Sequence, residues 1–341
     1  MRQARLKAAT DDPVGFYHCF SRVVDRRFIL GDLEKERFTA FLHHYAELCD
    51  IRVLAFCVMS NHFHVLLAVP RRPDVLPSLD AILARLESVG SHEEAKSIRR
   101  QLEALRRAGN AAGEAAFLAQ LHSRMWDVSQ YMKELKQRFT QWYNSRNGRA
   151  GTLWEGRFKS VLVEGEGKAL VTMAAYLDLN PIRAGLVQDP KDYRWCGYAE
   201  AVAGLRQARE GIQYLVRALQ HGWEESQAKS LEIYRMHLYV EGDEQREAVG
   251  PDGKPTRGSF TREQGLEVLA ARGRLSLAEY LRCRVRYFTD GFVFGGREFV
   301  DGVFRRERER FGERRRDGAR RMRGVEDDWF AMRNLQVDVF G

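Results

Sequence analysis

"CVMSNHFHVLLAV", residues 57–69, decides the fold. To its left, "IRVLAFCVM" (51–59) is rich in β-branched and apolar residues and reads as a strand. "SN" makes a short turn, and "HFHVLLAV" (62–69) pairs back to close a hairpin. Alternate side chains of a strand leave the same face, so His62 and His64 project together, their α-carbons roughly 6–7 Å apart. Phe63 points the other way, into the core. That geometry lets two imidazoles share one cation. It is also the pattern of two unrelated polar positions on the open face of a half-buried sheet. Zinc takes three or four ligands, and no cysteine lies near enough in sequence to complete a tetrahedral set.

Working outward, "GFYHCFSRVV" (15–24) is a second aromatic and β-branched stretch, a strand. "GDLEKERFTAFLHHYAELCD" (31–50) carries Phe38, Phe41, Leu42, Tyr45 and Leu48 at helical spacing behind Asp32, a candidate N-cap. "MWDVSQYMKELKQRFTQWYNSR" (125–146) predicts a longer helix, "RFKSVLVEG" (157–165) a strand, and "KALVTMAAYLDLN" (168–180) a helix stopped by Pro181. The block from 74 to about 124 has repeated Leu, Ala, Arg and Glu and almost no strand signal, and predicts a helical hairpin broken at "AGNAAGEAA" (108–116). Without that block the order is β-α-β-β-α-β-α, the split βαβ pattern. The expected fold is therefore α+β: a ferredoxin-like antiparallel sheet with helices on one face and a helical insertion at about 74–124, followed by a mainly helical C-terminal region. The expected domains are residues 1–204, a helical connector over 205–250, and a helical accessory domain over 251–341, beyond the polar linker "EGDEQREAVGPDGKPTRG" (241–258).

Composition bounds the function classes. The chain has 341 residues, a net charge of +8 and an apolar fraction of 44%; the excess of cations favours a polyanionic partner. Five scattered cysteines without a CxxC pair suit a reducing cytoplasm and argue against a disulfide scaffold or a zinc ribbon. The N-terminus has no apolar signal region, and no run approaches the roughly 18 apolar residues of a membrane span.

A second motif bears on the histidines. In "AAYLDLNPIRAGLV" (174–187), Tyr176 and Asn180 are four apart on the predicted helix and share one face. A phenol and a carboxamide presented together suit a nucleophile and a metal ligand. A tyrosine near a helix end is also a common core residue, and Asn before Pro is common turn chemistry.

Taken together, "NHFHVLL", "GTLWEGRFKSVLVE" and "YLDLNPIRAGLV" resemble the single-tyrosine HUH transposases, in which H is histidine and U an apolar residue. The branch they resemble most is that of the REP-associated tyrosine transposases. The resemblance runs from about Phe16 to Gly204, apart from the insertion. It implies that His62 and His64 are the metal-binding pair with Phe63 at the U position, that Tyr176 is the catalytic tyrosine, and that Asn180 is a third, amide-type ligand. Insertion-sequence members usually have Gln there, one methylene longer; Val23 stands where many relatives have Gly. The implied activity is metal-dependent cleavage and strand transfer of single-stranded DNA through a 5′-phosphotyrosine, with Mg²⁺ or Mn²⁺ as cofactor. Hairpins or palindromic repeats are the implied partners, the protein acting as a monomer or homodimer in the bacterial cytoplasm, at the nucleoid. A hairpin-binding regulator without catalysis on the same scaffold is the alternative. Relaxases and replication initiators often place the tyrosine before the histidines, the reverse of the order here.

The stretch 133–159 interleaves cations with aromatics, a pattern suited to phosphates and stacked bases. The expected DNA contacts are Arg22, Lys136, Arg138, Arg149, Arg157, Lys159 and Arg183. Tyr143, on the helix before the fourth strand, is the rival nucleophile; His18, His43 and His44 lack a paired context and read as ordinary. Near the C-terminus, "SLAEYLRCRVRYFTDGFVFGGREFVDGVF" (276–304) suggests a helix-turn-helix, and Arg314–Arg323 a basic tail that adds non-specific DNA affinity or is a solvated end. Some relatives of this branch carry a similar "RYFTDG…REFV" extension.

Overall fold

The hairpin forms as its sequence directs, with β2 at Arg52–Val58 and β3 at His62–Pro70. β1 (Val14–Arg22) pairs antiparallel with β3, and β4 (Lys159–Val163) pairs antiparallel with the other edge of β1. The order β2-β3-β1-β4 is that of a ferredoxin-like sheet. This computed structural model describes residues 5–88, 92–219, 226–240, 286–322 and 329–332.

Both faces of the sheet are covered, where helices on one face alone are expected from the sequence. α1 (Asp32–Cys49) and α5 (Val128–Arg146) pack on one face, against Cys19, Phe63, Val65 and Leu67. α6 (Lys168–Asp178), α8 (Gly197–Val202), α9 (Arg206–Leu219) and α10 (Gln227–Val240) pack on the other, against Leu66, Ala68, Val161 and Val163. The unbroken apolar run Val65–Val69 follows from this, because a strand buried on both faces need not alternate. At Gly211 of α9 an added Cβ would lie 3.0 Å from the Val53 and Leu54 carbonyl oxygens. Glycine there lets the helix lie directly on β2, where the strand pairing shifts register between Val53 and Ala55.

The insertion contains three helices rather than a hairpin of two: α2 (Leu79–Ser88), α3 (His92–Arg107) and α4 (Ala111–Ser123). Asn110 caps α4 by accepting from the Gly113 amide at 2.8 Å, so helix resumes directly inside the Ala-rich stretch expected to break it. α5 begins at Asp127, whose carboxylate accepts from the amides of Ser129 and Gln130. The expected stop at Pro181 is a kink: α6 ends at Asp178, and the one-turn α7 (Asn180–Arg183) follows with Pro181 in its first turn, a position proline favours.

The C-terminal region carries α11 (Arg286–Thr289) and α12 (Arg297–Arg306), and three strands in addition to the expected helices. β5 (Val293–Gly295) pairs parallel with β4, and β7 (Phe330–Met332) and β6 (Arg320–Arg321) continue antiparallel. The sheet therefore has seven strands, ordered β2-β3-β1-β4-β5-β7-β6. The first helix of the suggested helix-turn-helix lies outside the described residues, and its second half contains β5. Within the basic tail, the Arg315 guanidinium donates to the Gly318 carbonyl at 3.1 Å and lies 4.8 Å from the Phe311 ring centroid, so this arginine is packed into the fold. Among the described residues no helix is long and apolar enough to cross a membrane.

Candidate active site

β3 presents His62 and His64 on one face, their ring centroids 5.1 Å apart. Phe63 faces the opposite core and meets Phe38 at 4.5 Å. α6 crosses the histidine face and brings Tyr176 to a ring distance of 5.7 Å from His64. Residues more than a hundred positions apart thus meet because α6 lies on the face that the even-numbered positions of β3 share. Tyr143 and Tyr131 do not compete for this place. Tyr143 packs with the cluster of α1 and α5 on the other face, and the Tyr131 hydroxyl is buried there, donating to the Leu42 carbonyl at 3.1 Å.

Hydrogen bonds fix both imidazoles. Arg26 O can only accept, and it takes the Asn61 Nδ2 donor at 3.1 Å, which turns Asn61 Oδ1 toward His62. That oxygen also only accepts, so His62 Nδ1 carries the proton, at 2.6 Å, and Nε2 keeps its lone pair. His64 Nδ1 lies 2.9 Å from His18 Nε2. Burial draws His62 down to about 4 and His18 down to about 3, and it holds His64 well below the usual histidine range, helped by its neighbours His62 and His18. Neutral imidazoles are the form that binds a cation. His18, read as ordinary from the sequence, is therefore part of this cluster. Its only signal lies in cross-strand register: Phe20 of β1 stands opposite His64, which sets His18 diagonally beside it.

Tyr176 is 1% exposed. Its ring stacks on Phe288 of the C-terminal region at 4.7 Å, and the Arg183 guanidinium lies 4.6 Å from its centroid. Burial raises the phenol above its ordinary value, while the charge and hydrogen bond of Arg183 pull the other way. Asn180 is buried and acts first on backbone. Pro181 has no N–H, so the Leu177 carbonyl loses its helical donor; Asn180 Nδ2 reaches it at 3.2 Å and the Tyr176 carbonyl at 3.0 Å. Its Oδ1, the atom a metal would need, accepts from Arg183. Two residues before Asn180, the Asp178 carboxylate is buried. It accepts from the Tyr234 hydroxyl at 2.6 Å and the Tyr198 amide at 3.2 Å, and burial pushes it up to about 7.

The other expected DNA contacts divide by position. Lys159 is exposed and pairs across the sheet with Phe20, which pairs in turn with His64, so its ammonium sits 5.9 Å from the Phe20 ring at the edge of the site. Arg22 is exposed and stands opposite His62. Lys136 is turned inward: its ammonium donates to the Gly156 carbonyl at 2.7 Å, and burial lowers it to about 8. Arg149 donates to the Thr152 carbonyl at 3.0 Å, and Arg138 lies 3.8 Å from Glu134. Arg157 is exposed just before β4. Arg5, Lys133, Lys136 and Arg157 line a cavity of about 580 Å³ beside Trp154 and Phe158.

Sequence comparison finds a similarity over the segment that carries the histidine pair. Residues 15–103 match the family model for IS200-like transposases. The matched segment spans β1 to α3 and includes His18, His62 and His64; Tyr176 lies beyond it. The match agrees with the resemblance read from the motifs. Among solved structures, one of a REP-associated tyrosine transposase bound to a REP hairpin aligns with a TM-score of 0.37 and 15% identity, covering 60% of this chain and 85% of that one. No curated protein matches the sequence.

The donor set can be tested for the divalent ion that such a family implies. His62 Nε2 and His64 Nε2 carry lone pairs with their opposite nitrogens already bonded, the arrangement usual for metal-binding histidines. The third candidate, Asn180 Oδ1, is engaged by Arg183. Among the described residues no group of three His, Cys, Asp or Glu side chains could hold a metal. The chain thus supplies two neutral imidazoles side by side, and a nearby helix carries an amide oxygen already engaged by Arg183.

Proposed function

We propose that this protein is a transposase-type nuclease and strand transferase acting on single-stranded DNA. The observation that carries the reading is the meeting of Tyr176 with the His62–His64 pair on one face of the sheet. Tyr176 is the nucleophile. Its Oη attacks the scissile phosphorus, the phenol proton passes to solvent, and the P–O3′ bond breaks to leave a 3′ hydroxyl and a 5′-phosphotyrosine. One phosphoester replaces another, so no ATP is needed, and a later 3′ hydroxyl can reverse the step and join new DNA. Arg183 favours the phenolate by its charge, offsetting the burial that disfavours it. His62 and His64 would hold the divalent ion, Mg²⁺ or Mn²⁺, and Asn180 would be the third ligand in place of its bond to Arg183. That ion, when bound, polarises the phosphate and neutralises developing charge. Arg22 and Lys159, flanking the site, track the DNA backbone. By the resemblance of the motifs, the substrate is a hairpin with a single-stranded flank.

A second reading has its own observation. Tyr176 is buried, hydrogen-bonded to Arg183 and stacked on Phe288, as suits a hairpin-binding regulator without catalysis. An SDS-stable protein–DNA adduct on a hairpin oligonucleotide separates the two. The nuclease reading predicts an adduct with Mn²⁺, lost with EDTA and with Tyr176→Phe but kept with Tyr143→Phe. The regulator predicts chelator-insensitive binding and no adduct.

A further inference from the structure

His18 is a buried histidine that the cleavage chemistry above does not use. It is 0% exposed, at the centre of β1. A buried imidazole is costly unless both nitrogens find partners, and both do: Nδ1 lies 2.9 Å from the Phe288 carbonyl oxygen and Nε2 lies 2.9 Å from His64 Nδ1. The direction of these bonds follows from the acceptor at the end. A carbonyl only accepts, so His18 Nδ1 donates. A neutral imidazole has one N–H, so His18 Nε2 is a lone pair and His64 Nδ1 donates to it. The remaining nitrogen of His64, Nε2, is left with its lone pair. The two rings are close to parallel, 23° apart, at a centroid distance of 5.1 Å.

We propose that His18 is a positioning residue for the cation site: it holds His64 in the Nδ1–H tautomer, so that Nε2 is the nitrogen offered to a divalent ion. The inference rests on the metal-binding reading of His62 and His64 and adds a residue that reading leaves out. An exposed histidine side chain prefers the Nε2–H form, which would put a proton where the ion must bind. The hydrogen bond to the other nitrogen decides which form persists. The support for His62 comes from Asn61, its neighbour in sequence. The support for His64 crosses from β1 and ends on a backbone carbonyl of the C-terminal region, so three distant segments must be folded together before the second ligand is set.

The test uses the full chain with two substitutions. His18→Gln keeps a donor and an acceptor at the end of the side chain; His18→Leu keeps bulk and removes both. Nitrogen-15 spectra of the metal-free protein read the His64 tautomer directly. The expected result is a protonated Nδ1 in the wild type and in His18→Gln, and a shift toward Nε2–H in His18→Leu. Mn²⁺ titration is then expected to show affinity lowered about 10–100-fold in His18→Leu and nearly restored in His18→Gln. Thermal unfolding of each variant checks that it is folded. A wild-type His64 with its proton on Nε2 overturns the proposal without need of either variant, as does a folded His18→Leu that binds Mn²⁺ like the wild type. A wild type that does not bind Mn²⁺ through His62 and His64 refutes the metal reading instead, and the tautomer spectra then decide the His18 role alone.

Discussion

Replacing Arg183 with Gln should move two readouts in opposite directions. The guanidinium lies 4.6 Å from the Tyr176 centroid, and that ring lies 5.7 Å from His64, so the cation sits within about 10 Å of the His64 ring. Its charge depresses proton binding at both His62 and His64, and it opposes a bound dication in the same way. Charges of one and two at that separation repel by about 1–3 kcal/mol, depending on how much water screens the site. Arg183→Gln should therefore tighten Mn²⁺ binding by about 5–150-fold, while Gln can still donate to Asn180 Oδ1. The same change removes a charged hydrogen bond to the phenol, worth about 1.5–3 kcal/mol. Adduct formation at saturating Mn²⁺ and hairpin should then slow by about 10–150-fold. Isothermal titration with Mn²⁺ and the time course of the SDS-stable adduct read the two effects separately. Weaker Mn²⁺ binding in Arg183→Gln, or an adduct rate equal to wild type, would refute the roles given to this residue.

Other outcomes follow from the same geometry. His18 and His62 lie below the usual histidine value, at about 3 and 4, so the unfolded chain binds more protons in acid; their contribution is present above about pH 6.5 and is lost as pH falls through those values, with His18 alone worth at most about 5 kcal/mol. Asp178, raised to about 7, works in the opposite sense: it stabilises the fold at low pH and loses that contribution as pH rises from about 4 to 7. Urea unfolding of Asp178→Asn from pH 4 to 7 should show stability climbing more steeply than in the wild type, and a flat or falling profile would contradict these assignments. Tyr234→Phe leaves the buried Asp178 oxygen without its hydroxyl donor and should cost about 1–3 kcal/mol, read as a lower melting temperature; an unchanged melt would show that this bond does not hold α10 to α6. Lys159→Ala should weaken hairpin binding and reduce the salt dependence by about one counterion, and an unaltered salt slope would remove Lys159 from the DNA path.

The half of the fold that was legible in the sequence is the half with local periodicity. The hairpin of β2 and β3 could be read because aromatic and β-branched runs flank a two-residue turn, and the projection of His62 and His64 followed from the strand period. Pairing across the sheet is not local, and that is where sequence reading ran out. His18 is one histidine in "GFYHCFSRVV"; only the register that sets Phe20 opposite His64 brings it to the site. β5 and β7 span three residues each, Val293–Gly295 and Phe330–Met332, too short to show alternation, and they exist because β4 offers an open edge. Lys136 reads as a groove cation until the Gly156 carbonyl is seen to take its ammonium. Asn180 reads as a ligand by its spacing from Tyr176; that its Nδ2 also caps the helix at the Tyr176 and Leu177 carbonyls, in place of the donor Pro181 lacks, shows only in three dimensions.

The central claim is that Tyr176 acts on the phosphodiester held at the two histidines. Peptide mapping of the covalent adduct by mass spectrometry tests it most directly. The account predicts a 5′-nucleotide linked to Tyr176 in the wild type, and no linked peptide when His62 and His64 are both replaced by Ala. A nucleotide on Tyr143, or an adduct that survives loss of both imidazoles, would contradict it.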